Sequence, residues 1–349
     1  EMEIQPEAVT QEVLVEMYKV KTIEELNVRA TPNGTILGVI APWSIVSVYG
    51  TSLYNGATWY KVKFGIRTGY IHSYYTTTNL LLNSFASSVS VDRMVSMIGV
   101  LAKTDNARIA GTQSEKSAGD YLTTSLTSLG YTTQRQWFPT WVKLADGTRG
   151  ADSTSSNIFA TYNYDANKKT VLLMAHYDSV YTYGADDNAS GVAMVVELAR
   201  YLKTRVLDVN VAILLTGAEE GRHHGSLYYA DHPLIPLSSL ALVINCDMVG
   251  AGTTYEIYNY LATMQQGYYS KYALNIGKQF KLTTVQTLSS WSDHTSFEQK
   301  NVPTITFMNL KSYPYYHTDN DTVSRISKTV LRNISNIILN VIEEVDRKY

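Results

Sequence analysis

Five short segments in the second half of the chain carry imidazole or carboxylate side chains that could bind metal. His176-Tyr177-Asp178 and Glu219-Glu220 each follow an apolar run, and Asp186-Asp187 precedes a helical pattern. Asp247 and His317 come after two further apolar runs. Because the carboxyl ends of parallel strands meet at one edge of a sheet, we expect the five segments to converge there.

Two imidazoles combined with several carboxylates indicate zinc. One zinc ion binds three or four nitrogen and oxygen ligands at about 2 Å, and imidazole suits zinc better than a hard ion such as magnesium. Two zinc ions about 3.5–4 Å apart need a bridging carboxylate. We therefore predict that His176 and His317 each bind one ion, that Asp187 bridges the two, and that Glu220 and Asp247 complete the ligand sets.

Two carboxylates close to the predicted ligands, Asp178 and Glu219, are predicted to assist catalysis without binding metal. Asp178 stands two residues after His176 and is placed to orient its ring. Glu219 adjoins Glu220 but faces another way, so it can act as the general base that takes a proton from the attacking water. Each feature alone has a simpler explanation, such as a hydrogen-bonded His-Asp pair, a solvated Glu-Glu pair or an N-capping Asp. Their joint order at strand ends is what indicates a metal site.

The elements that must position these side chains form an α/β pattern from about Phe85 onwards. The predicted strands are Asn157–Tyr162, Val171–Ala175, Asn210–Leu215, Ala241–Asn245 and Thr304–Met308. The predicted helices are Asp92–Leu101, Ser114–Leu129, Asn188–Lys203, Gly225–Asp231, Tyr268–Phe280, Asp293–Lys300 and Thr322–Arg347. Strands that alternate with helices favour a mixed, mostly parallel sheet sandwiched by helices.

Residues 19–77 show a different, all-β pattern, which follows a polar N-terminal segment of residues 1–18. Short runs rich in Val, Ile, Tyr and Trp are separated by turn sequences such as Pro32-Asn33-Gly34 and Asn55-Gly56. This spacing is typical of a small barrel. Residues 76–84 are predicted to link it to the α/β region, which runs from 85 to 349.

The order of motifs in the all-β region resembles a bacterial SH3 domain. The motifs, in chain order, are Leu26-Asn27-Val28-Arg29, Pro32-Asn33-Gly34, Gly38-Val39-Ile40, Trp59-Tyr60-Lys61-Val62 and Thr68-Gly69-Tyr70-Ile71-His72. Domains of that family often bind cell-wall peptide or polysaccharide. The resemblance therefore implies contact with peptidoglycan, and the alternative is a domain that covers the active site or only aids folding.

Composition narrows the class of protein. The formal net charge of −2 argues against a nucleic-acid partner, and no apolar run approaches the roughly 18 residues of a transmembrane segment. The single Cys246 excludes an intrachain disulfide and is predicted to be a buried packing residue. Abundant Tyr, Asn, Ser and Thr favour an extracellular or cell-envelope location in a bacterium, reached after removal of a leader that is not visible at Glu1.

The α/β region resembles the bacterial two-zinc aminopeptidases, which are secreted metallopeptidases with the zinc exopeptidase fold. The motifs that carry the resemblance are His176-Tyr177-Asp178, Gly184-Ala185-Asp186-Asp187-Asn188-Ala189-Ser190-Gly191, Ala218-Glu219-Glu220, Asn245-Cys246-Asp247-Met248, Ser292-Asp293-His294 and Tyr316-His317-Thr318. The octapeptide from Gly184 to Gly191 is highly specific, and the resemblance covers residues 85–349.

The resemblance implies a role for each site residue. One zinc is held by His176, Asp187 and Asp247, and the other by Asp187, Glu220 and His317. Glu219 is the base, and a water between the two Zn²⁺ ions hydrolyses the first peptide bond of a peptide or protein with a free N-terminus. In part of the family a tyrosine near the last ligand stabilises the oxyanion, and Tyr316 is the nearest candidate; its alternative role is that of a pocket wall.

The sequence departs from the family at one motif and leaves alternative functions open. The family usually has Gly two residues after the Glu pair, whereas here Arg222 stands there and His223 and His224 follow. These two histidines are predicted to be polar loop residues, and His294 to support the site or cap a helix. The same fold also carries carboxypeptidases and one-zinc glutaminyl cyclases, and some members are non-catalytic receptors. The complete ligand set favours the two-zinc hydrolase.

Overall fold

The computed structural model of the protein describes residues 14–78, 85, 87–103, 107–265, 267–279 and 282–349. The chain divides into two compact units, residues 1–81 and 82–349. Within these ranges no helix combines the length and the apolar composition that crossing a membrane requires.

The N-terminal unit is an antiparallel sheet of seven described strands in the order β3-β2-β6-β5-β4-β1-β7. Its strands are β1 (Tyr18–Thr22), β2 (Leu26–Arg29), β3 (Ile36–Ile40), β4 (Ile45–Tyr54), β5 (Ala57–Phe64), β6 (Arg67–His72) and β7 (Thr76–Thr77). Buried side chains alternate with more exposed ones along the strands, as the two-residue period of a half-buried strand requires. Its core contains Val20, Leu26, Val28, Val46, Val48, Val62 and Ile71.

The predicted linker begins later than the sequence suggested. Thr76 and Thr77 pair with Thr22 and Lys21, so the sheet extends to Thr77. Residues 79–84 of the predicted linker and residues 1–13 of the predicted N-terminal segment lie outside the described residues.

The second unit is built on an eight-stranded mixed sheet, counted over the described residues, in the order β14-β13-β15-β12-β10-β11-β9-β8. Its strands are β8 (Thr132–Lys143), β9 (Arg149–Thr161), β10 (Thr170–His176), β11 (Asn210–Thr216), β12 (Leu240–Cys246), β13 (Tyr255–Asn259), β14 (Thr284–Leu288) and β15 (Thr304–Met308). The central strands β11, β10, β12 and β15 are parallel. Every residue of β10 is buried, which explains its unbroken apolar run.

Helices cover both faces of this sheet. They are α1 (Val91–Leu101), α2 (Gln113–Ser128), α3 (Gly191–Leu202), α4 (His224–Asp231), α5 (Ala262–Gln265), α6 (Tyr268–Gln279), α7 (His294–Glu298) and α8 (Lys328–Asp346). Helices α1, α3 and α8 pack together on one face, whereas α4 and α7 pack on the other. There Tyr229 and Phe297 meet alternate strand residues such as Leu172, Met174 and Leu214. The predicted sandwich of helices around a mixed sheet is confirmed.

Helices α3 and α8 begin several residues later than predicted, for local reasons. Helix α3 starts at Gly191 because Asp187 and Asn188 have non-helical backbone angles. Helix α8 starts at Lys328, where the hydroxyl of Ser327 caps the amide N–H of Val330. The predicted start at Thr322 is therefore wrong, and Asp321, just before it, has another role.

Of the β8–β9 hairpin, only the end of β9 was predicted. Strands β13 and β14 were not predicted. The hairpin is antiparallel along nearly its whole length, and much of it is rich in Thr, Ser, Gln and Arg, with half-exposed side chains. Such a strand at the edge of a sheet lacks the continuous apolar run that marks a central parallel strand. The hairpin brings Lys143 and the turn after it to the carboxyl edge of the central strands.

Candidate metal centre

The five predicted segments converge at the carboxyl edge of the central parallel strands. His176 is the last residue of β10, and Asp247 directly follows β12. Glu219 and Glu220 follow β11 by three and four residues, and Asp187 precedes α3. His317 lies in the loop between β15 and α8. Parallel order explains the convergence, since each of these strands points its C-terminal end to the same edge.

The side chains form two potential ligand groups that share one residue. His176, Asp187 and Asp247 form the first, and Asp187, Glu220 and His317 form the second, with the ligand atoms of each group within 4.8 Å of one another. His176 Nε2 lies 3.3 Å from Asp187 Oδ1 and 3.4 Å from Asp247 Oδ1. His317 Nε2 lies 3.1 Å from Asp187 Oδ2 and 2.9 Å from Glu220 Oε1. The two oxygens of Asp187 therefore face different groups, as a bridging carboxylate would.

The electrostatics of the pocket fit bound cations. The carboxylates of Asp187, Glu219, Glu220 and Asp247 line it together with His176 and His317, and burying so many like charges is costly unless they are paired or coordinate metal. Burial opposes charge on His317, but Asp187 and Glu220 raise the pKa of its imidazole to about 10. The same field that favours a positive imidazole favours a metal ion, and the nitrogen and oxygen donor set suits zinc.

Asp178 lies behind both the first histidine and the glutamate pair. Its Oδ1 is 3.4 Å from His176 Nδ1, and the orienting role stays a prediction. The same carboxylate accepts the amide N–H groups of Glu219 at 3.0 Å and of Glu220 at 3.1 Å. Asp178 thus fixes the backbone of the predicted base and of one predicted ligand, a second task that the sequence did not reveal.

Glu219 lines the metal pocket without belonging to either ligand group. Burial raises the pKa of its carboxyl to about 8. His223 lies in a loop as predicted, but its Nε2 is 3.2 Å from Glu219 Oε1. The prediction that His224 is a loop residue is wrong, because His224 begins α4. Arg222 adopts a positive φ of 81°, so the chain keeps the backbone conformation that favours glycine at this position although the glycine is absent. His223, the next residue, also has a positive φ, of 59°.

The backbone around Asp187 is held by Asp321, which lies just before the predicted start of the last helix. Asp321 is fully buried and accepts the amide N–H of Asp186 at 2.8 Å and of Asp187 at 3.0 Å. Tyr313 donates its hydroxyl to the same carboxylate at 2.8 Å. Asp321 is 134 residues from Asp187 in sequence, so no local pattern could have paired them.

The glycines that bracket the octapeptide are required by close packing. A Cβ at Gly191 would lie 2.2 Å from the carbonyl oxygen of Cys246, and one at Gly184 would lie 2.3 Å from the carbonyl oxygen of Asp187. Gly184 also has a φ of 56°, which other residues rarely adopt. Between them, the side chain of Asn188 donates to the carbonyl of Cys246 and accepts from Gly191 and Met248. The start of α3 is thereby fixed against the end of β12.

Arg108 is a further supporting residue that the sequence analysis missed. Its guanidinium is buried and donates to the carbonyl oxygens of Tyr177, Leu101, Tyr183 and Gly184. It therefore secures the segment between the first histidine and the octapeptide. Burial lowers the pKa of this arginine only to about 10, so it stays charged, and its charge lies behind a strongly acidic site.

The remaining walls of the metal pocket are mostly apolar. They consist of Met248, Trp291, Met308, Leu310 and Tyr316. Tyr316 is 39 % exposed, and its ring stacks on His317 with centroids 3.7 Å apart. No hydrogen bond to the described residues fixes the position of the Tyr316 hydroxyl. Its stabilisation of the oxyanion therefore stays a prediction.

Two further predictions concern residues near the centre. His294 is buried, begins α7 and directs Nε2 to the carbonyl of Ser289 at 2.9 Å. It belongs to neither ligand group among the described residues, in agreement with the prediction that it is not a ligand. Cys246 is buried as predicted.

Known proteins are similar to this unit in both sequence and fold. The profile of Peptidase family M28 matches residues 157–342, which is more than half of the chain. Aminopeptidase YwaD from Bacillus subtilis (strain 168) is 29 % identical over 188 residues, which cover 51 % of this chain and 41 % of that protein. The chain thus spans less than half the length of that relative.

Solved structures show the same fold. A zinc aminopeptidase from Bacillus subtilis aligns with a TM-score of 0.66 at 19 % identity, over 73 % of this chain and 95 % of that one. A glutaminyl cyclase from Porphyromonas gingivalis aligns with a TM-score of 0.62 at 26 % identity, over 74 % of this chain and 99 % of that one. Peptide hydrolysis and cyclisation are thus both carried by proteins of this fold.

Proposed function

Because this chain belongs to peptidase family M28, we propose that it is a two-zinc aminopeptidase that removes N-terminal residues from peptides or proteins. The observation that supports this proposal most is the pair of ligand groups that share Asp187. A single-metal enzyme has no need of a second complete group, whereas a two-metal hydrolase needs both and a carboxylate between them.

The proposed metal ligands are His176, Asp187 and Asp247 in one group and Asp187, Glu220 and His317 in the other. When bound, two zinc ions supply Lewis acidity, which polarises a peptide carbonyl and makes a water more acidic. The buried network of Asp178 and Asp321 holds the ligands in place before the ions bind.

Glu219 is the proposed general base. Its carboxylate lies in the pocket beside the ligands, yet it is free of both groups. A pKa raised to about 8 by burial gives a stronger base than an ordinary glutamate, and a base near the working pH transfers protons most effectively. Glu219 takes a proton from the attacking water and passes it to the leaving amine, while His223 holds one of its oxygens.

The pocket also fits the first residue of a peptide. A free amino group is a cation, so the carboxylates of Glu219 and Glu220 would attract it and would disfavour a blocked N-terminus. Met248, Met308 and Trp291 form an apolar wall that suits an apolar first side chain. Tyr316 stands at the rim beside His317, where its hydroxyl could donate to the developing oxyanion.

We expect the zinc-loaded protein to hydrolyse leucine and methionine anilides and to leave their N-acetylated forms intact. The physical reason is that acetylation removes the cation that the carboxylates attract. Metal analysis of the same preparation is expected to give nearly two zinc ions per chain. Equal cleavage of the blocked substrates would contradict an aminopeptidase. Cyclisation of a peptide with N-terminal glutamine, without anilide hydrolysis, would assign the site to a cyclase.

For the N-terminal unit we propose an SH3-like domain, residues 19–77, that keeps the enzyme at the bacterial cell envelope by binding peptidoglycan. A groove of about 320 Å³ on this unit is lined by Ile45, Tyr49, Lys63 and Phe64 among others. Ile45, which lines the groove, and Ile66, which follows the lining residue Gly65, are exposed. Exposed apolar side chains beside a groove support binding of an extended ligand. Residues 85–349 are the proposed catalytic domain.

Sedimentation with purified peptidoglycan tests this second proposal. We expect the full chain to pellet with the wall material and a variant that lacks residues 1–81 to stay in the supernatant while it still hydrolyses leucine anilide. The catalytic unit has its own core, so its activity is the control for folding. Equal pelleting of both proteins, or of neither, would show that the N-terminal unit does not bind the wall.

A further inference from the structure

A second pocket lies directly beside the metal centre. It has a volume of about 480 Å³, and its walls are the turn after Lys143, the segment from Val180 to Thr182 and the loop from His317 to Asp319. This volume falls within the range of roughly 300–1,000 Å³ that is usual for small-ligand sites. His317 lines both this pocket and the metal pocket, so a molecule bound at the metal centre could extend into it.

Lys143 places a positive charge where the two pockets meet. Its Nζ lies 3.7 Å from Glu220 Oε2, and its side chain is only 25 % exposed. Glu220 directs its other oxygen, Oε1, to His317. The ammonium group therefore approaches the second ligand group through the oxygen of Glu220 that does not contact His317.

The position of Lys143 is fixed by the hairpin that carries it. Lys143 pairs with Arg149 across the hairpin, and the turn between them is closed by hydrogen bonds from Leu144 to Thr148 and from Gly147 to Leu144. A lysine at the end of a closed hairpin keeps its backbone position when a ligand binds. The other charged side chain in this pocket wall, apart from His317, is Asp319, which is exposed and therefore screened by water.

The geometry of a peptide brings a carboxylate within reach of this lysine. In the residue after the scissile bond, the amide nitrogen and the carboxyl carbon are separated by two bonds, or about 2.5 Å. When the scissile carbonyl lies at the metal centre, the carboxylate of a dipeptide therefore lies only a few ångströms farther out. An ammonium group there would form a charge-assisted hydrogen bond with it.

We propose that this pocket is the subsite for the residue after the scissile bond and that Lys143 selects substrates with a carboxylate on that residue. The inference rests on the proposed aminopeptidase function and adds a substrate class to it. The carboxylate has two sources, the C-terminus of a dipeptide or the side chain of an aspartate or glutamate in a longer peptide. Lys143 is a specificity-determining residue and takes no part in the transfer of protons.

The test compares hydrolysis of Leu-Gly, Leu-Gly-amide and Leu-Asp-amide by the wild type and by Lys143→Met. We expect the wild type to prefer Leu-Gly over its amide by about tenfold or more in kcat/KM, as for a charge-assisted pair. The preference is expected to fall to near one in Lys143→Met and to persist in Lys143→Arg. Preference for Leu-Asp-amide over Leu-Gly-amide, lost in the same variant, would support the side-chain source.

A binding measurement separates this inference from the proposed function. In a Glu219→Gln background, calorimetry is expected to give tighter binding of Leu-Gly than of Leu-Gly-amide, and the difference is expected to vanish when Lys143→Met is added. Leucine anilide, which carries no carboxylate, gives the reference rate of each variant, against which its rates for Leu-Gly and Leu-Gly-amide are compared. Lys300→Met, which removes another lysine paired with a carboxylate, is the matched control and should change nothing.

The outcomes are distinct. Anilide hydrolysis without any carboxylate preference in the wild type would overturn the subsite and leave the aminopeptidase intact. A preference that survives in Lys143→Met would also overturn it, because another cation would then be responsible. Absence of all hydrolysis would contradict the proposed function. The difference in affinity between Leu-Gly and Leu-Gly-amide, with and without Lys143→Met, would still decide the role of Lys143.

Discussion

Replacement of Glu219 by glutamine is expected to reduce kcat for leucine anilide by about 10³-fold, within the range of roughly 10²–10⁴ that a positioned general base contributes. The amide keeps the shape of the carboxylate and its approach to His223, but it cannot take a proton. Because Glu219 belongs to neither ligand group, the variant should still bind two zinc ions. Initial rates and metal analysis on the same preparation check both parts.

The neighbouring glutamate provides the contrast. Glu220→Gln is expected to lose both activity and about one zinc ion, since Glu220 belongs to the second ligand group. The two variants differ in sequence by one position, so a difference in metal content would assign base and ligand separately. If Glu219→Gln retained more than about a tenth of the wild-type kcat, which is outside the usual contribution of a general base, another group would have to be the base. His223, 3.2 Å away, would be the first to examine.

Replacement of Asp187 by asparagine is expected to have the largest effect of any single substitution at the site. Asp187 is the one residue common to both ligand groups, and the two oxygens of its carboxylate face different histidines. An amide offers only one oxygen and no negative charge, so both ions should bind weakly. Metal analysis is expected to give well under one zinc per chain, and anilide hydrolysis should fall at least as far as in Glu219→Gln.

Stability gives a readout of the same substitution that does not depend on activity. A ligand present at a hundred times its dissociation constant raises the free energy of unfolding by about 2.7 kcal/mol. The wild type is first freed of metal with a chelator, which is then removed. Zinc added at that concentration should raise the midpoint of its unfolding in urea and should have little effect on the midpoint of Asp187→Asn. An equal gain in the variant would mean that Asp187 does not bind the metal.

Asp186→Asn is the matched control for Asp187. Asp186 is also a buried aspartate of the octapeptide, and its Oδ1 accepts the amide N–H of Gly250 at 2.6 Å. The side-chain oxygen of asparagine can keep that hydrogen bond. Burial raises the pKa of Asp186 to about 8, so a neutral side chain is tolerated there. This variant should keep two zinc ions and most of its activity.

The sequence identified the central strands and the predicted ligands because their information is local. An unbroken apolar run such as Val171–Ala175 can be buried on both faces only in the middle of a sheet, and a polar group at its end marks the carboxyl edge. The octapeptide was recognised by its resemblance to the family motif, and its residues have local constraints: a Cβ at Gly184 would meet the carbonyl oxygen of Asp187, and one at Gly191 that of Cys246.

The sequence was less informative about residues whose contacts are with segments far away in the chain or with backbone groups. Nothing near Asp321 indicates that it accepts the amide N–H groups of Asp186 and Asp187, and the local pattern favoured an ordinary helix start instead. His223 was predicted only to be a polar loop residue, and nothing in its local sequence indicates that its ring lies 3.2 Å from Glu219. The buried Arg108 was missed because its partners are backbone carbonyls, which leave no trace in sequence.

The sequence by itself determined the family, the central strands with the motifs that follow them, and the identity of the residues that could bind metal. Residue type and the spacing from each strand end are local properties, and they follow from burial and from the chemistry of the side chains. Only the tertiary structure decided which oxygen of Asp187 faces which histidine, that Asp321 fixes its backbone, and that a hairpin places Lys143 beside Glu220. These are distances between segments far apart in the chain, and packing of the whole unit sets them.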